Sequence, residues 1–204
     1  MGGSQVPRWV AVSATVAPVA MIGGWTLAAS LQGDFDPVRE TISALAASSA
    51  RVPLVMTAGL AVTGLCHMIT AAGLKRVPVG GRLVLGLGGV ATTAVAILPV
   101  DLSPRAHGVA ATVAFVALSI WPVAARNRRG ISALRPRQAV LATGGLLGLL
   151  VWFGLELLRV APDAGAATGL AERALVAGQS LWPLVVVVTA LARPSATPSG
   201  SLPN

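Results

Sequence analysis

The chain has 204 residues, 54% of them hydrophobic and only 11% charged, with a net charge of +8. Mean hydropathy is +0.77, and the charge is less than half the ~25% that a soluble domain usually carries. A soluble globular domain is therefore excluded, and nucleic acid is not an expected partner, because the bases are dispersed over separate loops with no binding fold around them.

Runs of apolar residues long enough to cross a hydrocarbon core of about 30 Å recur along the chain. They predict six spans, over 9–31, 53–73, 81–100, 107–125, 139–158 and 170–191. The spans must be helical, since backbone groups in lipid are satisfied only within their own segment or in a closed barrel, and the period-two alternation of barrel strands is absent. The first is too long for a signal peptide and lacks its small-residue cleavage context. The expected fold class is all-α: a polytopic bundle of six transmembrane helices, a single domain over 1–193. The tail 194–204, rich in Pro, Ser and Gly, is expected to be disordered. Glycine-rich stretches in the second, third and fifth spans favour close helix packing and are compatible with a homo-oligomer.

Between the first two spans lies "QGDFDPVRETISALA", residues 32–46, with four charged groups in nine residues. Asp36 followed by Pro37 suits a helix start, the carboxylate capping free N–H groups and the proline occupying the first turn. Val38, Ile42, Leu45 and Ala46 then form an apolar stripe. This predicts a helix of roughly 12 residues, too short to span and so interfacial or re-entrant, with Glu40 near the opening of the bundle.

Ten of the fifteen bases fall on the side that carries both termini, and five (Arg39, Arg51, Arg105, Arg159, Arg173) on the other. Positive-inside bias places both termini in the cytoplasm of a multi-pass cell-membrane protein, with anionic lipid as a partner. All seven acids lie on the opposite side or in the adjacent helix ends. Several neighbour an arginine in sequence: Glu40 and Arg39, Asp101 and Arg105, Glu156 and Arg159, Glu172 and Arg173. Asp163 lies close by. Ionisable groups in such places pair, line a cavity or carry function. Interfacial ion pairs are the plain reading for Glu156 and Asp163, whereas Glu40, Asp101 and Glu172 are expected to share a polar mouth. His107 follows Asp101 and Arg105 closely enough to hydrogen-bond that acid cluster.

The absent motifs narrow the chemistry. There is no DDxxD-like aspartate cluster for magnesium and diphosphate and no DxDD motif; Asp34-Phe35-Asp36 is a faint echo of the latter. No zinc signature, phosphate loop or nucleophile elbow occurs, so neither metal nor cofactor is expected. His67 and His107 lie at different depths, too far apart to share a haem iron. His67 reads as a satisfied core residue and Cys66 as a buried small hydrophobe. The only lysine, Lys75, sits in a loop, which removes a retinal Schiff base. Aromatic side chains can steady a cation: Trp25, and Trp152 one turn before Glu156, are the candidates, with Phe115 in the fourth span and Phe153 beside Trp152. Trp9, Trp121 and Trp182 read as interfacial anchors.

"DPVRETISALA", "LPVDLSPRAHG" (98–108) and the Glu172–Arg173 pair heading the last span carry a resemblance over most of the chain. It resembles a small bacterial membrane family catalogued as domain of unknown function 998, which implies about six helices and no established activity. In size, hydrophobicity and scarcity of acids it is also similar to the actinobacterial membrane terpene cyclases of prenylated indoles, as in drimentine-type pathways. That likeness carries over no catalytic residue, but it implies proton-initiated, metal-free cyclisation of a hydrophobic prenylated small molecule. On this expectation Glu40, Asp101 and Glu172 are the catalytic candidates, and Trp25, Trp152, Phe115, Phe153, Asp36, Arg105, His107 and Arg173 contact substrate. The alternative is a non-catalytic carrier or lipid- or small-molecule-binding protein in which the acids form structural pairs with arginine.

Overall fold

Proline sets where three of the spans begin. In a computed structural model of the chain, which describes residues 6–128, 131–160 and 165–192, the helices α3 (Pro53–Gly73), α5 (Pro104–Ala124) and α6 (Pro136–Leu157) each start on a proline. A residue without an N–H loses nothing in a first turn, where that donor has no helical partner. The other spans are α1 (Arg8–Ser30), α4 (Val79–Ile97) and α7 (Thr168–Leu191). All six are long and apolar enough to cross a membrane, and no strand occurs among the described residues. The expected Asp163, Arg129, Arg193 and the tail 194–204 lie outside the described residues.

The helices close into a ring. α1 packs on α3 and α7, α3 on α4, α4 on α5, α5 on α6, and α6 on α7. Glycine makes the tightest of these contacts possible. A Cβ on Gly64 of α3 would stand 2.6 Å from the Gly89 carbonyl oxygen of α4, and one on Gly89 would stand 2.6 Å from the Gly64 carbonyl. Both helices would have to separate to admit a side chain, so Gly64→Val is expected to destabilise the bundle by about 1–3 kcal/mol, the usual cost of overpacking. Unfolding of the purified protein in mixed micelles measures it. The fifth-span glycines behave differently: Gly144, Gly145 and Gly148 meet no neighbour. α6 buries only Ala139, Leu146 and Phe153 and sits on the ring's outside. One tie secures it. Pro122 interrupts the hydrogen-bond ladder of α5, and the next N–H, of Val123, donates to Thr143 Oγ1 of α6 at 3.1 Å.

Three apolar clusters hold the helices together, and the smallest joins Phe153 of α6 to Ala171 and Leu175 of α7. The one near the basic end includes Val10, Leu74, Leu85, Trp121, Leu134 and Val186. Trp121 is fully buried there, so it is a core residue and not the interfacial anchor its position suggested. The 3-10 turn Ser132–Leu134 closes this end. The other cluster, at the acidic end, joins Met21, Ile42, Leu45, Met56, Val95 and Val176.

The helix expected from Pro37 is much shorter than 12 residues. Asp36 Oδ1 accepts from Val38 N–H (2.9 Å) and Arg39 N–H (3.3 Å), so the expected cap is formed. The chain then makes a single hydrogen-bonded turn, Glu40 N–H to Asp36 carbonyl, and becomes extended at Thr41. Thr41 Oγ1 accepts from Ala44 N–H and starts a separate one-turn helix, α2 (Ile42–Leu45). The break arises because threonine caps more readily than it continues a helix, and because the Ile42 N–H is taken by a residue 130 positions away.

Candidate functional site

That residue is Glu172, in the first turns of α7. Its Oε2 accepts the Ile42 N–H at 2.5 Å, and its side chain is buried, 4% exposed. Its Oε1 has no hydrogen-bond partner among the described residues. Next to Ile42, Ser43 places its hydroxyl 2.9 Å from His107 Nε2. The other ring nitrogen, Nδ1, lies 2.7 Å from the Leu98 carbonyl oxygen. A carbonyl only accepts, so Nδ1 carries the hydrogen. In the neutral ring Nε2 is then the acceptor and Ser43 the donor. A hydroxyl is thereby held on a base that a third group orients, which is the arrangement that makes such a pair reactive.

Two spaces share a wall at this point. A groove of about 420 Å³ runs along α5 and α6, lined by Phe115, Val116, Leu150, Phe153 and Leu157, with Ser43, His107 and Glu172 at its polar end. Its size is that of a small-molecule site. Inside the ring lies a chamber of about 40 Å³, lined by Glu172, Ser43, Thr63, His67, Thr92 and Gln179 among others. Ser43, Ala111, Phe115 and Glu172 line both. Phe115 and Phe153 form an edge-to-face pair, centroids 5.5 Å apart and planes at 79°.

The three carboxyls do not converge. Glu172 lines both spaces; Glu40 and Asp101 line neither. Glu40 is exposed and its Oε1 accepts the Asp36 N–H at 2.8 Å. Asp101 accepts from the Ser48 hydroxyl (2.6 Å), the Ser48 N–H (3.0 Å) and the Ser49 N–H (3.1 Å). Led by the Ser48 hydroxyl, these donors favour the carboxylate and hold its pKa well below the usual aspartate range. A depressed folded pKa means stability that is present above the unfolded value and lost as pH falls through the folded one. The melting temperature is therefore expected to be flat above about pH 5 and to fall below the unfolded aspartate value of ~3.9. Asp101→Asn should flatten that acid limb in a thermal-melt series.

The expected acid–arginine pairs are replaced by bonds to backbone. Among the described residues one ion pair is present, Arg39 Nε to Asp36 Oδ2 at 3.6 Å, on exposed side chains. Arg105 is exposed and makes no pair with Asp101. Glu156 does not pair with Arg159; its Oε2 accepts the Gly165 (2.8 Å) and Ala167 (3.0 Å) N–H groups and shapes the approach to α7. Arg173 Nη1 donates to the carbonyls of Pro37 (2.8 Å), Glu40 (2.9 Å) and Gly169 (2.9 Å), and its guanidinium lies 5.4 Å from the Phe35 ring centroid. Within residues 32–46, Asp36 and Glu40 accept the loop's own N–H groups, while Glu172 and Arg173 reach its backbone from α7. The loop seats so closely that a Cβ on Gly169 would collide with the Glu40 and Pro37 carbonyls. His107 likewise bonds Ser43 and Leu98, not the acids. Trp25 and Trp152 are half-buried in apolar clusters and line neither space, whereas Phe115 and Phe153 do. His67 is buried, as expected of a core residue, but neither ring nitrogen has a partner among the described residues. Ser43, His67 and Gln179 belong to the site without any local sequence signal to mark them.

No metal-binding cluster of His, Cys, Asp or Glu occurs among the described residues. The three short stretches singled out in the sequence, 36–46, 98–108 and 172–173, thus meet at one end of the ring. No curated protein and no solved structure matches the chain. The profile of the family described as protein of unknown function (DUF998) matches residues 15–189, and the chain belongs to that family.

Proposed function

We propose that the protein is a cell-membrane enzyme, with both termini cytoplasmic, that cyclises a prenylated, indole-like molecule by proton transfer from Glu172. The observation that carries this reading is the position of Glu172: buried, tied by one oxygen to α2, and with its second oxygen unpartnered where a mostly apolar groove and a mostly apolar chamber share a wall. The orientation rests on the excess of bases at the opposite end and puts the site toward the outer leaflet. A hydrophobic substrate reaches it through the bilayer.

In this mechanism Glu172 Oε1–H adds its proton to the CH carbon of a terminal trisubstituted alkene, leaving a tertiary cation at the neighbouring carbon. Attack by the next alkene closes a ring and moves the cation along the chain. Phe115 and Phe153, which line the groove, offer π-faces to it. Ser43 Oγ removes a proton from the carbon beside the final cation while passing its own to His107 Nε2. One proton enters and one leaves, so the product is an isomer of the substrate and no metal or redox partner takes part.

The test is incubation of membranes containing the protein with a farnesylated indole. The expected result is a cyclised product of unchanged mass that is missing from control membranes. Saturable binding with no product would overturn the enzyme and favour the carrier.

A further inference from the structure

The chamber is narrow and mostly apolar, with Thr63, His67, Thr92, Glu172 and Gln179 set into its wall. Glu172 lies about 6 Å and Gln179 about 17 Å along α7, at 1.5 Å per residue, and His67 stands on α3 toward the basic end. His67 is 1% exposed, and Nδ1 and Nε2 both lack a partner among the described residues. Its neighbours offer it no donor, because theirs are committed elsewhere. Thr63 Oγ1 donates to the Ala17 and Gly59 carbonyls, and Thr92 to the Gly88 carbonyl. The Gln179 amide nitrogen donates to the Phe115 carbonyl and bonds the Ser119 hydroxyl. What these side chains retain is oxygen lone pairs. A neutral imidazole needs one donor and one acceptor, so a guest here must do both and be small. The chamber's 40 Å³ accommodates about three waters at roughly 10–15 Å³ each. Beyond it, the apolar cluster containing Leu118, Trp121 and Val186 closes the interior.

The geometry points to an internal water site: a short file anchored at His67, running past Gln179 and Thr63 to the unpartnered oxygen of Glu172. Its role rests on the cyclase reading. Ser43 lines both spaces, so when His107 Nε2 returns its proton to the Ser43 hydroxyl, the proton taken from the substrate passes from Ser43 into the file and on to the Glu172 carboxylate, which restores the acid. His67 is a positioning residue that orders the file.

The test uses the full-length protein in nanodiscs, without substrate, labelled with ¹⁵N-histidine. The chain has two histidines, and His107→Gln assigns the signals. In water-edited solid-state NMR the His67 ring is expected to receive magnetisation from water on the timescale seen for His107; a silent His67 beside a responding His107 would overturn the site. Gln179→Leu is expected to weaken that transfer by about fivefold or more, because a bound water needs two to four polar partners; an unchanged transfer would remove Gln179 and the file with it. Loss of the water signal on adding ammonium or sodium chloride would identify a cation as occupant and overturn the water assignment. If the proton path operates, Gln179→Leu also lowers turnover by roughly tenfold at unchanged KM, less than the ~10²–10⁴-fold of a direct proton donor because it only disorders the file. A hydrated His67 in a protein with no turnover would leave the site standing and remove the cyclase reading.

Discussion

Glu172→Gln is expected to lower turnover by about 10²–10⁴-fold, the contribution of a positioned general acid, with the protein still folded. Glutamine keeps an oxygen that accepts the Ile42 N–H, so α2 stays docked on α7 and the groove keeps its shape. What disappears is the transferable proton at the junction of the two spaces. Glu40→Gln and Asp101→Asn are expected to retain turnover near wild type at neutral pH, because those carboxylates bind backbone N–H groups and line neither space. Product formation and a melting curve for each variant check this. Wild-type turnover in Glu172→Gln would remove it from the chemistry, and a large loss in Asp101→Asn without loss of folding would return that residue to it.

Arg173→Ala has the second large effect. It removes three carbonyl acceptors' shared donor and the contact with the Phe35 ring. Hydrogen bonds to a charged group contribute about 1.5–3 kcal/mol, and this group is half-buried, so a loss of about 2–4 kcal/mol is expected. The segment 31–52 would lift from α7 and carry Ser43 away from His107. Limited proteolysis should cut this segment faster, and the melting temperature should fall. Arg173→Lys should not restore either property, since one ammonium cannot reproduce the reach and planarity of the guanidinium. Protease resistance equal to wild type in Arg173→Ala would show that the loop is held by other contacts.

The spans were legible because length and hydropathy alone define them. The expected 53–73 coincides with α3, and α7 ends at Leu191 as expected. The largest errors at helix starts, 107 against Pro104 and 139 against Pro136, come from prolines that open α5 and α6. The expected end of the third span, 100, overshoots because Pro99 follows Leu98, and the residue before a proline is biased out of the helix. The loop 32–46 was legible only at its cap. Its helix is cut by a carboxylate that arrives from α7, and no local pattern contains that information. Sequence proximity also misplaced the arginines: a neighbouring acid is a poorer guide than the unsatisfied carbonyls of a loop that must sit on a membrane helix. Ser43 and His67 carried no signal for the same reason, since the groups that define their roles come from other helices.

The most direct measurement of the central claim is cyclisation carried out in D₂O with wild-type protein and Glu172→Gln. Delivery of the proton by Glu172, which exchanges with solvent, predicts one deuterium in the wild-type product, at the carbon that was the CH of the terminal alkene, and no comparable product from the variant. Product lacking that deuterium, or labelled product formed by Glu172→Gln at the wild-type rate, would contradict it.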